Sequence, residues 1–371
     1  MKPLKLKLIF MLVVLVSVTL VTSLVAAKEI TVQGFGVNRE DAVSDALRNA
    51  VEESVGTLIS SETIVKNMSM IKDEIYTNSQ GYINGFEILH EYRSLEGTTV
   101  TIKANVDTSP NSSLVSHLQR LNLIKHGLQN PRIAVVIPEI HLTARIPDPA
   151  GETAVIRKLI DAGFSRVVDS QQIQKIRYTD VVRSLARGNT SEAIALATSY
   201  QADYLLVGEA FSEYVGNIEN SGIRSCRARI EAKLIKADTG EIIATHGFHS
   251  GGADITEFTA AKKALNAAGE LMGDYMVEKL LSHAGNTEKG IQLTVFNVTS
   301  FSKITLLTKE IEQIKGVKKL YIRDYNNGTA KIDIDFTGNT VSLANSLKKI
   351  STPAVSVTSI SASAIQASIV Y

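Results

Sequence analysis

Two histidines, His246 and His249, stand close enough in sequence to suggest a metal grip, and Cys226 is the chain's only thiol. Around the histidines the residues alternate as in a strand, where positions three apart point to opposite faces, so the pair is not expected to hold one ion. Cys226 opens the run Cys226–Leu234, in which Cys226, Ala228, Ile230, Ala232 and Leu234 alternate with Arg227, Arg229, Glu231 and Lys233. That places the thiol on an apolar face, as a small buried hydrophobe with no base to activate it. Gly34-Phe35-Gly36 lies where a dinucleotide fingerprint would, between a strand and a helix, but Arg39 occupies the third glycine position. A bulky residue there conflicts with the close helix packing the fingerprint needs, so a plain strand-to-helix turn is expected. Asp333 and Asp335 alternate with Ile332, Ile334 and Phe336 and read as the wet face of a strand. The pairs Lys318-Lys319 and Lys348-Lys349 are isolated and read as solvated surface. No G-x-S-x-G elbow, phosphate-binding loop or H-E-x-x-H is present. The inventory therefore assigns no catalytic, cofactor-binding or metal-ligating residue, and no cofactor.

The elements that would carry such groups are those of an ordinary globular chain. Its 371 residues suit two or three domains, with 44% hydrophobic and 21% charged residues. A formal charge of +1 lacks the basic excess of a nucleic-acid binder. One cysteine rules out an internal disulfide and any multi-cysteine metal site.

Lys2, Lys5 and Lys7 precede an uncharged stretch, Leu8–Ala27, that ends in Val25-Ala26-Ala27. This is the pattern of a cleavable export signal over residues 1–27, with a retained inner-membrane anchor as the alternative. Cleavage would remove three lysines, taking +1 to −2 and leaving no electrostatic case for nucleic acid or anionic lipid. A periplasmic protein without integral membrane insertion is the expectation.

Three blocks follow. Residues 28–107 read as strand, two helices and a hairpin (βααββ). Asn38 caps a helix bearing Ala42, Ala46 and Ala50, a second helix spans Glu62–Tyr76, and Ile83–Glu91 and Thr98–Val106 form the hairpin. Residues 108–130 read as a linker with a short helix carrying Leu114, Leu118, Leu121 and Ile124. Residues 131–283 alternate strands and helices: the buried run Ile133–Ile137, helices near Glu152–Ala162, from Ser170 and over Ser191–Tyr200, strands at Asp203–Gly208, Cys226–Leu234 and Ile242–His249, and an alanine-rich helix over about Thr256–Leu281. Residues 290–371 follow the ferredoxin-like order βαββαβ, with a hairpin at Asn326-Asn327-Gly328 and an extra terminal strand. The fold class is thus a multidomain mixture of α+β and α/β.

Gln33-Gly-Phe-Gly36, Arg39, the alanine ladder and the Ile83–Val106 hairpin resemble the N-terminal domain of the flagellar assembly protein T family, periplasmic proteins that help build rings around the flagellar basal body. Pro131–Val136, Ala202–Gly208 and Lys236–Ile242, in that order, resemble the α/β sandwich of the TolB N-terminal domain and the curli-secretion channel protein. The resemblance implies a non-enzymatic scaffold whose partners are envelope or flagellar basal-body proteins, with self-association into a ring as a further expectation. Two departures limit the transfer: the last block looks ferredoxin-like where the flagellar family has a small β-barrel, and the channel protein's lipidation cysteine is missing. The alternative reading is a periplasmic binding module for a cell-wall fragment or other small envelope ligand.

Overall fold

The computed structural model describes residues 28–60, 75, 79–109, 112–141, 144–145, 148–168, 195, 201–285 and 289–370. The expected export signal lies outside them, and none of the described helices is long and apolar enough to cross a membrane. The fold is multidomain α+β, and the chain divides into two compact units, Met1–Asn122 and Leu123–Tyr371.

The first unit holds β1 (Lys28–Gly36), α1 (Arg39–Ser60), β2 (Ile83–Arg93), β3 (Thr98–Val106) and α2 (Ser113–Asn122). Its sheet has the order β1-β3-β2, antiparallel throughout. In central β3, Val100, Ile102, Ala104 and Val106 are buried and the intervening residues are half-exposed, as a period of two requires. Ala42, Ala46 and Ala50 of α1 are fully buried against this face. Asn38 caps α1 as expected, its Oδ1 accepting from the Asp41 amide at 2.9 Å. A Cβ at Gly34 would stand 2.2 Å from the Ala46 amide nitrogen, and one at Gly36 2.3 Å from that of Ala42. The glycines seat the helix on the strand, which accounts for both without a nucleotide. The helix expected over Glu62–Tyr76 falls outside the described residues except for Ile75, which is helical and buried. Helix α2 buries Leu114, Val115, Leu118 and Leu121 in the same core, so the expected linker helix is an integral part of this unit.

The second unit begins with β4 (Ile133–Val136), β5 (Glu139–His141), β6 (Ala144–Arg145), α3 (Ala150–Asp161) and β7 (Val167–Val168). It continues through β8 (Tyr204–Asn217), β9 (Arg224–Lys236), β10 (Ile242–Asp254) and α4 (Glu257–Gly285). The sheet order is β10-β9-β8-β4-β7, with β5 also pairing with β8. Strand β4 runs parallel to β7 and β8, while β8, β9 and β10 form an antiparallel meander. Helices α3 and α4 pack closely where Gly269 meets Gly151, a Cβ on Gly269 falling 2.4 Å from the Gly151 carbonyl. The core joins Ile230 and Leu234 of β9 to Leu265, Met272 and Met276 of α4. The meander strands run well past the spans their hydrophobic alternation predicts. The helices expected from Ser170 and over Ser191–Tyr200 lie outside the described residues, apart from helical Ala195.

The remainder of this unit comprises β11 (Lys289–Phe296), α5 (Phe301–Glu312), β12 (Val317–Asn326), β13 (Thr329–Phe336), α6 (Thr340–Leu347), β14 (Val355–Ile360) and β15 (Ala364–Ile369). The β12–β13 hairpin turns through Asn327 and Gly328, both at positive φ (49° and 73°), as the Asn-Gly signal predicts. The order is β12-β13-β11-β15-β14. The extra strand therefore does not extend the sheet's edge. It inserts parallel to β11 and displaces β14 outward, because Ile365, Ala367 and Ile369 are apolar enough for the core while β14 is mostly exposed. Asp238, in the β9–β10 turn, accepts from the Ser361 hydroxyl at 2.8 Å and from the Ser363 amide, tying this block to the preceding one.

Candidate functional site

The residues that looked chemically suggestive end up apart. His246 projects to the helix side of β10, its ring 4.5 Å from that of Phe248 and 4.7 Å from that of Tyr275, centroid to centroid. His249 projects to the other face, opposite Arg229. Among the described residues no three His, Cys, Asp or Glu side chains are placed to hold a metal ion. Cys226 is buried, its thiol donating weakly to the Glu257 carbonyl, and burial pushes that thiol's pKa up, away from the reactive thiolate. Asp333 pairs with Arg323 on the wet face of β13.

A buried carboxylate with three backbone donors comes from β5, which sequence periodicity does not reveal. Glu139 is fully buried and accepts from the amides of Ala150, Gly151 and Glu152, at 2.9, 2.6 and 2.9 Å. Since α3 follows Pro149 and has no side-chain cap of its own, Glu139 serves as that cap from another strand. Burial raises its carboxyl above the ordinary value, outweighing the three amide bonds that lower it. Two residues on, His141 Nδ1 meets the Ser212 hydroxyl at 3.0 Å and Nε2 meets the Glu257 carboxylate at 3.1 Å. A carboxylate only accepts, so Nε2 carries a proton and, in the neutral ring, Nδ1 accepts from Ser212. This is the wiring of a serine–histidine–acid relay. Ser212, however, is only 3% exposed, in mid-strand rather than on a turn that would present it to a carbonyl. The relay acts as a tie: β5 holds the first turn of α3 through Glu139 and that of α4 through His141. The signal that could have prompted a search is the uncapped start after Pro149, but the partner's identity depends on the tertiary fold.

The exposed apolar side chains gather at defined places instead. In the first unit, Phe35, Thr99 and Tyr92 lie abreast across β1, β3 and β2 on the face away from α1. Phe35 is 53% and Tyr92 70% exposed. Val37, 84% exposed, follows the end of β1, and fully exposed Leu95 occupies the adjoining β2–β3 turn. The Phe35 ring lies against Gly97 of that turn, where a Cβ would be 2.8 Å from it. On the opposite face Glu91 is held below the usual carboxylate range by Arg93 and Arg39, an ion-paired rim.

No protein-family model matches the chain, and no curated protein matches it. Among solved structures it is similar to a PelC dodecamer from Paraburkholderia phytofirmans, at 15% identity over 41% of this chain and 90% of that one, with a TM-score of 0.25. It is also similar to the LpoB C-terminal domain from Salmonella enterica, at 18% identity over 35% and 93%, TM-score 0.21. A third is lipoprotein GNA1162 from Neisseria meningitidis, at 13% identity over 39% and 99%, TM-score 0.24. These likenesses are too remote to assign an activity or a partner.

Proposed function

We propose that this chain is an envelope scaffold that works by protein–protein contact rather than by turnover, and that its assembly is the flagellar basal body or a related secretion complex. One observation carries the reading: Phe35, Val37, Tyr92 and Leu95 are exposed together at one end of the first unit's sheet. Contiguous exposed apolar side chains are the mark of a docking surface, and burying a fully exposed one such as Leu95 is worth about 1.5–3 kcal/mol, less for half-buried Phe35. The expected export signal and the resemblance of residues 28–107 to the flagellar assembly protein T family support the envelope assignment.

The test is capture from envelope fractions by the intact chain and by a Tyr92→Lys/Leu95→Lys variant, with motility and secretion scored in a deletion strain. Recovery of basal-body or secretion components by the parent and their loss with the variant is the expected result. If the parent recovers none and the deletion strain swims and secretes normally, the reading is wrong.

A further inference from the structure

Strand β10 differs from the other long edge strands of this protein. Edges are normally blunted by charge, proline, bulges or shortness, because an open row of amide and carbonyl groups invites pairing. Strand β12 carries Lys318, Lys319, Arg323 and Asp324 and two register shifts; β2 carries Glu87, Glu91 and Arg93 and two shifts; β1 opens with Lys28 and Glu29. Strand β14 is six residues long with a shift. By contrast, β10 runs 13 residues, and its one irregularity lies at its start, between Ile242 and Ala244. From Ile242 to Ala253 it has no Lys, Arg, Asp, Glu or Pro. Thr245, His246, His249, Gly251 and Ala253 are exposed along it.

Beside this edge α4 is apolar between Lys263, which pairs with Asp254 at 2.6 Å and donates to the Ala253 carbonyl at 3.4 Å, and Lys279, which lies over the Tyr275 ring; the Tyr275 hydroxyl donates to the Thr245 carbonyl at 3.5 Å. Gly252 sits against Ala260 and Ala264 of α4, and Tyr275 packs on His246 and Phe248. Leu271, one turn before Tyr275 and two after Ala264, lies on that same flank and is 46% exposed.

We propose that β10 is a seam between two copies of this chain, paired antiparallel about a two-fold axis at Phe248. The register follows from the strand's own side chains. With Phe248 opposite its mate, His246 meets Ser250, Thr245 meets Gly251, and Asp254, the only fixed charge, meets Ile242. No like charges of the two strands face each other, and the His246–Phe248–Tyr275 cluster, with Lys279 over Tyr275, continues across the axis on one face. A second copy thus pairs along the strand without like-charge repulsion, Asp254 being neutralised by Lys263 of its own chain, and isologous pairing closes after two chains. This goes beyond the scaffold reading and uses a different surface from the Phe35–Tyr92 patch.

The test is light scattering and sedimentation of the purified protein, with a charge swap across the seam. Thr245 is exposed and a Cβ at Gly251 would meet nothing closer than the Cys226 carbonyl at 3.9 Å, so both positions accept a side chain. Thr245→Asp with Gly251→Asp in one chain sets Asp against Asp twice and should weaken the dimer about tenfold or more. Thr245→Lys with Gly251→Asp sets Lys against Asp twice and should restore it. Thr245→Asp alone, opposite Gly251, keeps the fold control in hand through its melting curve. A parent that stays monomeric at about 100 μM overturns the proposal, as does a dimer indifferent to the double-acid change or one not rescued by the Lys/Asp pair. A monomeric parent that still captures envelope components through the Phe35–Tyr92 patch would sink the seam and leave the scaffold reading standing.

Discussion

Replacing Glu139 by Ala removes one side chain and strands three backbone donors. The amides of Ala150, Gly151 and Glu152 all end on its carboxylate, and Pro149 contributes no cap of its own. Hydrogen bonds to a charged acceptor contribute about 1.5–3 kcal/mol each net, and loss of an ordinary N-cap costs about 1 kcal/mol. The three bonds share one carboxylate, and the substitution also relieves the burial cost that raises its pKa, so their values do not simply add. Water entering the vacated space recovers part of the remainder, which leaves about 3 kcal/mol. At about 2–4 °C per kcal/mol for a unit of this size, the melting temperature should fall by about 6–12 °C. Glu139→Gln keeps an oxygen for Gly151 and Glu152 but turns an NH2 toward the Ala150 amide, and should fall between parent and Ala. The pH dependence has a definite sign. With its folded pKa raised above the unfolded value of 4.5, Glu139 favours the fold at low pH. That contribution is lost as pH rises through the folded value, and the Gln variant lacks it. Urea and thermal unfolding followed by circular dichroism read all three proteins. An Ala variant within about 1 kcal/mol of the parent would refute the claim that this carboxylate caps α3.

Other substitutions test the remaining joints. His117, hydrogen-bonded to Tyr82, has its pKa lowered by burial and, secondarily, by Arg120. The first unit should therefore lose stability as pH falls from 6.5 through the depressed value, and His117→Gln should flatten that part of the unfolding profile. Gly34→Ala drives a methyl into the backbone of α1 and should cost about 3 kcal/mol or more, seen as early melting of that unit. A double-mutant cycle of His141→Ala and Ser212→Ala should show a coupling of about 1 kcal/mol in unfolding free energy. Serine-directed fluorophosphonate should label neither the parent nor the variants at Ser212; labelling of the parent would make the relay catalytic.

Much of the layout was readable because local pattern and tertiary need coincide. The alanine ladder of α1, the Asn38 cap, the alternation of β9 and the Asn327-Gly328 turn each encode their role within a few residues. What was not readable depends on distant partners. Glu139 and His141 sit on a three-residue strand with no periodicity, and their contacts lie 11 to 116 residues away. The far ends of β8 and β10, with Tyr214–Asn217 and with Gly251 and Gly252, lack hydrophobic alternation and are strands because β9 pairs with them. The position of β15 turns on which neighbour it meets, and alternation alone cannot distinguish a central strand from one at the edge.

That central position has a consequence for how the protein is made. Synthesis delivers a chain from its N-terminus, so β14 arrives before β15, yet β15 is the neighbour to which it bonds, and β11 waits with one flank bare. Until residues 364–369 emerge, only β12, β13 and β11 of the five strands can pair, and the bare flank of β11 stays open to proteases. Chains stalled at increasing lengths should gain protease resistance there abruptly, once that last stretch is free to slot in.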